Sequence, residues 1–92
     1  MKRYSVLVST TASKEFRALD KEEQDRIREK LNDLSEDPHN SYNRLDTKKL
    51  SGTKYTYFRL RTGDYRVIYH TEEETIKVVR IAIGYDAYSW LD

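Results

Sequence analysis

The sequence predicts a single α+β domain in which an N-terminal helical hairpin packs on one face of an antiparallel sheet. Its 92 residues are the length of one domain. One strand-like segment and two amphipathic segments are followed by three strand-like segments that turn residues separate. The predicted element order is therefore β-α-α-β-β-β, and the last three strands are joined by hairpins.

The N-terminal third predicts one strand and a short helix. Residues 4–9 are rich in β-branched side chains and form the strand. Thr10 or Thr11 can cap the helix, because a hydroxyl accepts a hydrogen bond from an amide of the first turn. The helix carries apolar residues at helical spacing: Ala12, Phe16 and Leu19.

The second helix begins after Asp20, which with Glu23 has the spacing of a capping box. Its apolar stripe consists of Ile27, Leu31 and Leu34. The helix ends near Asp37, because Pro38 disfavours helical geometry in the residue before it. Residues 38–53 are polar and contain turn formers, so they are predicted to form a long loop.

The C-terminal half predicts three antiparallel strands. Residues 55–61 alternate as a half-buried strand does, and the pair Gly63-Asp64 marks a tight turn before the return strand at residues 65–71. Residues 72–74 are three consecutive glutamates that form a second turn. A segment rich in Val and Ile follows them and forms the last strand.

Composition excludes several kinds of site. The chain has no cysteine, which excludes disulfides, zinc–thiolate sites and thiol nucleophiles, and its two histidines disfavour a His-based metal site. No metal or other cofactor is expected. No apolar run approaches the roughly 20 residues that cross a bilayer, so no membrane association is predicted, and the expected location is the cytoplasm.

Positive charge is concentrated in one segment. Residues 1–46 hold nine basic and ten acidic residues, whereas residues 48–66 hold six basic residues and only Asp64 as an acid, a net charge of +5. Such a block in a chain whose formal net charge is +1 indicates a local anion site. The six basic residues are Lys48, Lys49, Lys54, Arg59, Arg61 and Arg66.

Strand parity places the arginines on one face. If the turn at residues 63–64 has two residues, Arg61 lies opposite Arg66 and Arg59 lies opposite Ile68. The helices then cover the other face, formed by Phe58, Leu60, Val67 and Tyr69. Tyr57 shares the open face, and aromatic rings beside arginines are typical of surfaces that bind single-stranded RNA. The alternative is a solvated face with no ligand.

The position of Arg80 depends on the turn at residues 72–74. A three-residue loop would place Arg80 opposite Arg66, whereas a two-residue loop would turn it towards the helices. Periodicity leaves both open, because residues 78–83 are apolar on both faces apart from Arg80.

A longer pattern resembles a known family. Leu50-Ser-Gly52, followed by Tyr57-Phe-Arg-Leu-Arg-Thr-Gly-Asp-Tyr-Arg-Val-Ile-Tyr69, is similar to the segment K-L-x-G … Y-R-x-R-x-G-D-Y-R-V-I-Y of RelE/ParE toxins. The order and lengths of the predicted elements agree over essentially the whole chain. The resemblance implies a single RelE-like domain at residues 1–92, the toxin of a type II toxin–antitoxin system.

For the RelE branch, the resemblance implies a ribosome-dependent, metal-independent endoribonuclease that cleaves mRNA in the decoding site. A ribose 2′-oxygen attacks the adjacent phosphate and the 5′-oxygen departs, while basic side chains stabilise charge on the phosphate. Arg66 matches the family's phosphate-binding Arg, and Arg59 matches a catalytic Lys or Arg. The candidate RNA-binding residues are Lys48, Lys49, Lys54, Tyr57, Arg61 and Arg80.

The C-terminal tail departs from the family pattern. Many active members follow the last strand with Gly-His-Arg or Gly-Lys-Arg and a later Tyr, whereas this chain has Asp86 in place of that Arg. Tyr88 matches the later Tyr and is the third catalytic candidate. Three roles of Tyr88 remain open: it exchanges a proton, stacks on a base, or packs the tail on the sheet. Arg80 could replace the missing Arg if it lies on the open face.

The resemblance also implies three partners: a cognate RelB-like antitoxin, the ribosome and mRNA. Two alternatives to the nuclease are a ParE-like inhibitor of DNA gyrase that cleaves nothing, and a catalytically weakened homologue that binds its antitoxin. Arg59 and Arg66 on one open face favour the nuclease. The missing C-terminal Arg favours gyrase inhibition.

Overall fold

The computed structural model describes residues 3–50 and 56–84, and these form two helices and a five-stranded sheet. The helices are α1 (Thr10–Arg17) and α2 (Lys21–Glu36). The strands are β1 (Ser5–Val8), β2 (Thr47–Leu50), β3 (Tyr57–Thr62), β4 (Tyr65–Glu72) and β5 (Thr75–Ile83). Their order across the sheet is β1-β5-β4-β3-β2. The predicted α+β class is confirmed.

The cap of α1 is Ser9, so the prediction of Thr10 or Thr11 was wrong by one or two residues. Ser9 Oγ accepts a hydrogen bond from the Ala12 amide at 3.0 Å and donates one to the Val79 carbonyl at 3.1 Å. The same hydroxyl therefore starts the helix and ties it to β5, while both threonines already lie in the first helical turn.

The limits of α2 agree with the prediction. The Asp20 carboxylate accepts a hydrogen bond from the Glu23 amide at 3.0 Å and caps the helix. The helix ends at Glu36, and Asp37, which precedes Pro38, has left the helical conformation with φ −143° and ψ 67°.

The sheet is mixed, so the prediction of a purely antiparallel sheet was wrong at one edge. β1 runs parallel to β5 and pairs Ser5 with Thr75 and Val8 with Val78. Only hairpin connections force neighbouring strands to be antiparallel, and β1 reaches β5 through the rest of the chain. Alternation of side chains identifies a strand but does not give the direction of its neighbour.

The structure also adds a strand that the sequence did not predict. Residues 47–50 belong to the segment assigned as a loop, yet they form β2, antiparallel to β3 at the sheet edge. A strand of four residues with two lysines has too little apolar alternation to be recognised. Lysines are common on edge strands, because their charge opposes pairing with a second chain.

The β3–β4 hairpin has the predicted register. Arg61 pairs with Arg66, and Arg59 pairs with Ile68, across a two-residue turn that begins at Gly63. Gly63 has φ 62°, a left-handed conformation that glycine adopts without steric cost.

The β4–β5 hairpin differs from both predictions for Arg80. Its turn has two residues, because Glu72 pairs with Thr75, but a β-bulge shifts the register at Ile68. The bulge brings Arg80 onto the open face, where it lies opposite Ile68. Arg80 therefore lies neither opposite Arg66 nor towards the helices, the two positions that were predicted. An inserted residue in a segment that is apolar on both faces gives no periodic signal.

The hydrophobic core lies between the helices and one face of the sheet. Phe58 packs against this core, and the burial of Leu60, Val67 and Tyr69 confirms the predicted covered face. Burial raises the pKa of Tyr69 to about 12, so its hydroxyl stays protonated. The core residues are Ala12, Ile27, Leu34, Leu45, Leu60, Val67, Tyr69, Ile76, Val78 and Ile81.

Candidate nucleic-acid interface

The face of the sheet opposite the helices presents its side chains in three rows. The first row is Asp46, Arg61, Arg66 and Ala82. The second row is Lys48, Arg59, Ile68 and Arg80. The third row is Leu50, Tyr57, His70 and Lys77. We call six of these residues the basic face: Lys48, Tyr57, Arg59, Arg61, Arg66 and Arg80.

Asp46 holds Arg59 in place. Nη1 of Arg59 lies 2.8 Å from Asp46 Oδ1 and 3.2 Å from the Asp46 carbonyl oxygen. The Arg61 amide donates to the same carbonyl at 2.9 Å and fixes Asp46 beside β3. The hydrogen bond from Arg59, with the nearby charges of Arg61 and Arg66, holds the pKa of Asp46 below its ordinary value.

Sequence reasoning missed Asp46. It lies two residues before the basic segment, in a stretch that was assigned as a loop. Only the pairing of β2 with β3 brings it next to Arg59. Asp46 belongs to the nearly neutral N-terminal half of the sequence, and the structure places it at the sheet edge next to Arg59 and Arg61.

Arg66 lies at the end of the β3–β4 turn, against Gly84. Its Nη1 donates to the Tyr65 carbonyl at 3.2 Å. A Cβ at Gly84 would lie 3.3 Å from both Cζ and Nη2 of Arg66. The Gly84 amide donates to the Asp64 carbonyl at 3.1 Å and holds the end of β5 at the turn. The missing side chain of Gly84 therefore leaves the space that the guanidinium occupies.

Positive charge is incompletely balanced at the first row. Arg61 and Arg66 lie directly opposite each other, and like charges in this position destabilise a sheet. Within residues 3–50 and 56–84, neither of them forms an ion pair, and neither does Lys48. A bound anion would relieve this repulsion.

Arg80 is held by an acid of α1. Its Nε lies 3.0 Å from Glu15 Oε2, and Glu15 Oε1 also accepts from the Ile81 amide at 2.8 Å. Both charged side chains are mostly buried, with exposed fractions of 25% and 22%. Arg80 therefore shares the open face, but Glu15 balances its charge.

The remaining candidates divide into three groups. Tyr57 packs its ring edge-on against His70, with ring centres 5.5 Å apart. Lys49 lies opposite Phe58, on the other face of the sheet from Lys48. The candidates Lys54 and Tyr88, with Asp86, lie outside the described residues.

The described part of the chain lacks two kinds of feature, a metal site and a membrane-spanning helix. No group of three or more His, Cys, Asp and Glu side chains there is placed to hold a metal ion. Neither described helix has the length and apolar character needed to cross a membrane.

Comparisons with known proteins identify the family. The model of a family described as the ParE toxin of the type II toxin–antitoxin system parDE matches residues 6–88. A search of curated proteins found no match.

Solved structures share the fold. A chain of the archaeal RelE-RelB complex from Pyrococcus horikoshii OT3 is 30% identical, with a TM-score of 0.74 and coverage of 90% of this chain and 96% of that chain. A chain of the RelBE2 toxin–antitoxin complex from Mycobacterium tuberculosis is 25% identical, with a TM-score of 0.74 and coverage of 89% and 99%.

A mutant of the Escherichia coli toxin RelE in the free state is 24% identical, with a TM-score of 0.71 and coverage of 97% of this chain and 94% of that chain. The family match extends over most of the sequence, and the structural matches extend over nearly all of the fold. The chain belongs to the RelE/ParE superfamily and is a toxin of a type II toxin–antitoxin system.

Proposed function

We propose that this toxin is an mRNA interferase, a ribosome-dependent and metal-independent endoribonuclease. The observation that supports this function best is the cluster of Arg59, Arg61 and Arg66 on the open face of the sheet. The strands place all three arginines on one face, and hydrogen bonds to Asp46 and to backbone carbonyls hold the guanidinium groups of Arg59 and Arg66. Cations held in this way suit a phosphate on which negative charge increases.

In the proposed reaction, the 2′-oxygen of a ribose forms a bond to the adjacent phosphorus and the bond to the 5′-oxygen breaks. The products are a 2′,3′-cyclic phosphate and a 5′-hydroxyl. Arg66 and Arg59 stabilise charge on the phosphate oxygens, and Tyr88 exchanges a proton with a reacting oxygen. An arginine guanidinium can donate two parallel hydrogen bonds to two oxygens of one phosphate, which favours arginine in this role.

The other residues of the basic face would hold the RNA strand. Arg61 and Lys48 flank the arginine pair and can contact neighbouring phosphates, while Tyr57 offers a ring for a base. Arg80 is a weaker candidate, because Glu15 already balances its charge. We propose further phosphate contacts for Lys54, and we expect Lys49 to contribute little because it lies on the covered face.

We also propose a RelB-like antitoxin as a partner, because three similar structures that are 25% or more identical to this chain are toxin–antitoxin complexes of the RelE-RelB type. An apolar groove of about 440 Å³ beside β1 supports such a partner. The side chain of Val8 in this groove is 45% exposed, although it is large and apolar. The apolar lining residues are Tyr4, Val6, Val8, Phe16, Leu31 and Ile81.

Inhibition of DNA gyrase is the second candidate function. Two observations favour it: the family model that matches is that of ParE toxins, and Asp86 stands where many active members of the superfamily carry an Arg. An acid near the reacting phosphate would oppose the growth of negative charge there.

Two parallel assays of the purified toxin test the proposal. One follows cleavage of mRNA on translating ribosomes by primer extension, and the other follows supercoiling of plasmid DNA by gyrase. We expect cleavage and unchanged supercoiling. Inhibited supercoiling with intact mRNA would instead support the ParE-like function, and activity in neither assay would support a weakened homologue.

A further inference from the structure

Asp46 lies where a ligand phosphate is expected. Its carboxylate accepts the Arg59 guanidinium at 2.8 Å and sits in the first row beside Arg61, within the field of Arg66. A carboxylate and a phosphate present similar oxygen pairs to a guanidinium. The toxin without RNA therefore already has an anion among its arginines, and that anion is part of its own chain.

The two side chains of this ion pair differ in how far they are exposed to solvent. The side chain of Arg59 is 17% exposed, whereas that of Asp46 is 54% exposed. The backbone of Asp46 is fixed, because its carbonyl accepts hydrogen bonds from the Arg61 amide and from Arg59. Rotation of the Asp46 side chain alone can move the carboxylate into solvent while Arg59 stays in place.

The presence of the carboxylate lowers the positive charge that RNA meets. With Asp46 ionised, the group formed by Asp46, Arg59, Arg61 and Arg66 carries three positive charges and one negative charge. A phosphate that binds Arg59 must displace the carboxylate or accept its repulsion at short distance. Either event weakens RNA binding relative to a site without the acid.

We propose that Asp46 is an internal counterion of the basic face, which Arg59 exchanges for a phosphate of the RNA. This role rests on the proposed function, because it requires the basic face to bind RNA. Asp46 keeps Arg59 oriented before RNA arrives, and it limits the affinity of the toxin for RNA outside the ribosome. It acts on the substrate through Arg59 and is therefore a positioning residue.

The substitution Asp46→Asn tests this exchange. It keeps an oxygen that can accept from Arg59 and the backbone hydrogen bonds of residue 46, but it removes the charge. Asp25→Asn is a matched control, since the side chain of Asp25 is also 54% exposed and its Oδ1 lies 3.0 Å from Arg28 Nη1. Asp25 lies in α2, on the opposite side of the sheet from the basic face.

The measurement is the affinity of the full-length toxin for a fluorescent oligouridylate, by anisotropy, over a series of salt concentrations. We expect Asp46→Asn to bind about five-fold more tightly or better at low salt, the effect of one nearby charge at the protein surface. The slope of log K against log salt should stay close to that of the wild type, because Arg59 contacts a phosphate in both proteins once the carboxylate has been displaced. Asp25→Asn should bind as the wild type does.

Equal or weaker binding by Asp46→Asn would overturn the counterion role. If wild-type toxin binds the oligouridylate and Arg66→Ala weakens that binding, while Asp46→Asn binds as the wild type does, only the role of Asp46 fails. If the wild-type toxin does not bind at all, RNA binding by the basic face fails with it. A circular dichroism spectrum and a melting temperature confirm that each variant is folded.

Discussion

At the scale of single residues, the neighbours of each arginine decide what it can do. Arg59 is held by Asp46, Arg80 by Glu15, and Arg66 by backbone carbonyls and the space at Gly84. Identical guanidinium groups therefore differ in how much positive charge they offer to a ligand. Arg66 and Arg61 offer the most, because no described acid is paired with them.

Gly84→Ala tests whether the space beside Arg66 matters for catalysis. The added methyl would lie 3.3 Å from Cζ and Nη2, which is too close for the present position of the guanidinium. The guanidinium is the end of a flexible side chain and can shift, so we expect little change in stability. We expect a fall of about ten-fold in the cleavage rate of ribosome-bound mRNA, because catalysis depends on the position of the charge.

A double-variant cycle checks that Gly84 acts through Arg66. The variant that combines Gly84→Ala with Arg66→Ala should cleave no more slowly than Arg66→Ala alone. Full additivity of the two effects would show that the glycine serves another purpose.

The basic residues could be found from the sequence, but their acidic partners could not. The parity of two strands and one turn is enough to place Arg59, Arg61 and Arg66 on a common face. Asp46 and Glu15 reach their arginines through tertiary structure, and 65 positions separate Glu15 from Arg80. Local patterns carry no information on such pairs.

At the scale of elements, the edge of β5 shows how one helix completes the sheet. β1 pairs with β5 only as far as Val78, so the following backbone polar groups of β5 need other partners. Ser9, at the start of α1, donates to the Val79 carbonyl, and Glu15, in the middle of α1, accepts from the Ile81 amide. α1 therefore takes the place of a longer β1.

Glu15→Ala tests this role of α1. The substitution removes the acceptor for the Ile81 amide and for Arg80, so we expect a loss of about 1–3 kcal/mol in the free energy of unfolding. Urea denaturation at neutral pH measures the loss. Glu29→Ala in α2 is the control, because Glu29 is exposed, and its effect should be within about 0.5 kcal/mol. Equal effects of the two substitutions would contradict the account.

Elements with strong local signals were predicted correctly, and those that depend on distant pairing were not. The Asp20 cap and the turn at Gly63 fix α2 and the β3–β4 register through short-range chemistry. Two other features were missed: β2, whose four residues gain their partners only from β3, and the bulge that redirects Arg80. Both depend on the sheet as a whole.

At the scale of the whole molecule, the two faces of the sheet have separate roles. One face packs with the helices and forms the core, and the other carries the basic face. This separation allows changes among the arginines with little effect on folding. It also explains why the family could be inferred from the sequence, since one hairpin contains both core and basic residues.

The stability of the molecule should decrease in acid. Burial opposes ionisation of Asp37, but hydrogen bonds from the Tyr42 and Ser41 amides outweigh it and hold the pKa of Asp37 below its ordinary value. The pKa of Asp46 is lowered by Arg59, and that of Glu72 by a hydrogen bond from Lys77.

Groups whose pKa is lower in the folded state stabilise it above their unfolded pKa, and this contribution is lost as the pH falls through the folded pKa. We therefore expect the urea midpoint to be nearly constant down to about pH 5 and to fall below about pH 4. The urea midpoint of Asp37→Asn should fall less than that of the wild type over the same pH range. A midpoint that rises on acidification through this range would contradict the assignment.

If the basic face holds the phosphate at which RNA is cleaved, Arg66→Ala should slow the single-turnover cleavage of ribosome-bound mRNA. We expect a decrease of about 10²- to 10³-fold, or about 3–4 kcal/mol of transition-state stabilisation. Lys49→Ala, which removes a cation from the covered face, should cleave at nearly the wild-type rate. Wild-type cleavage by Arg66→Ala, or an equal loss in Lys49→Ala, would contradict this role of the basic face.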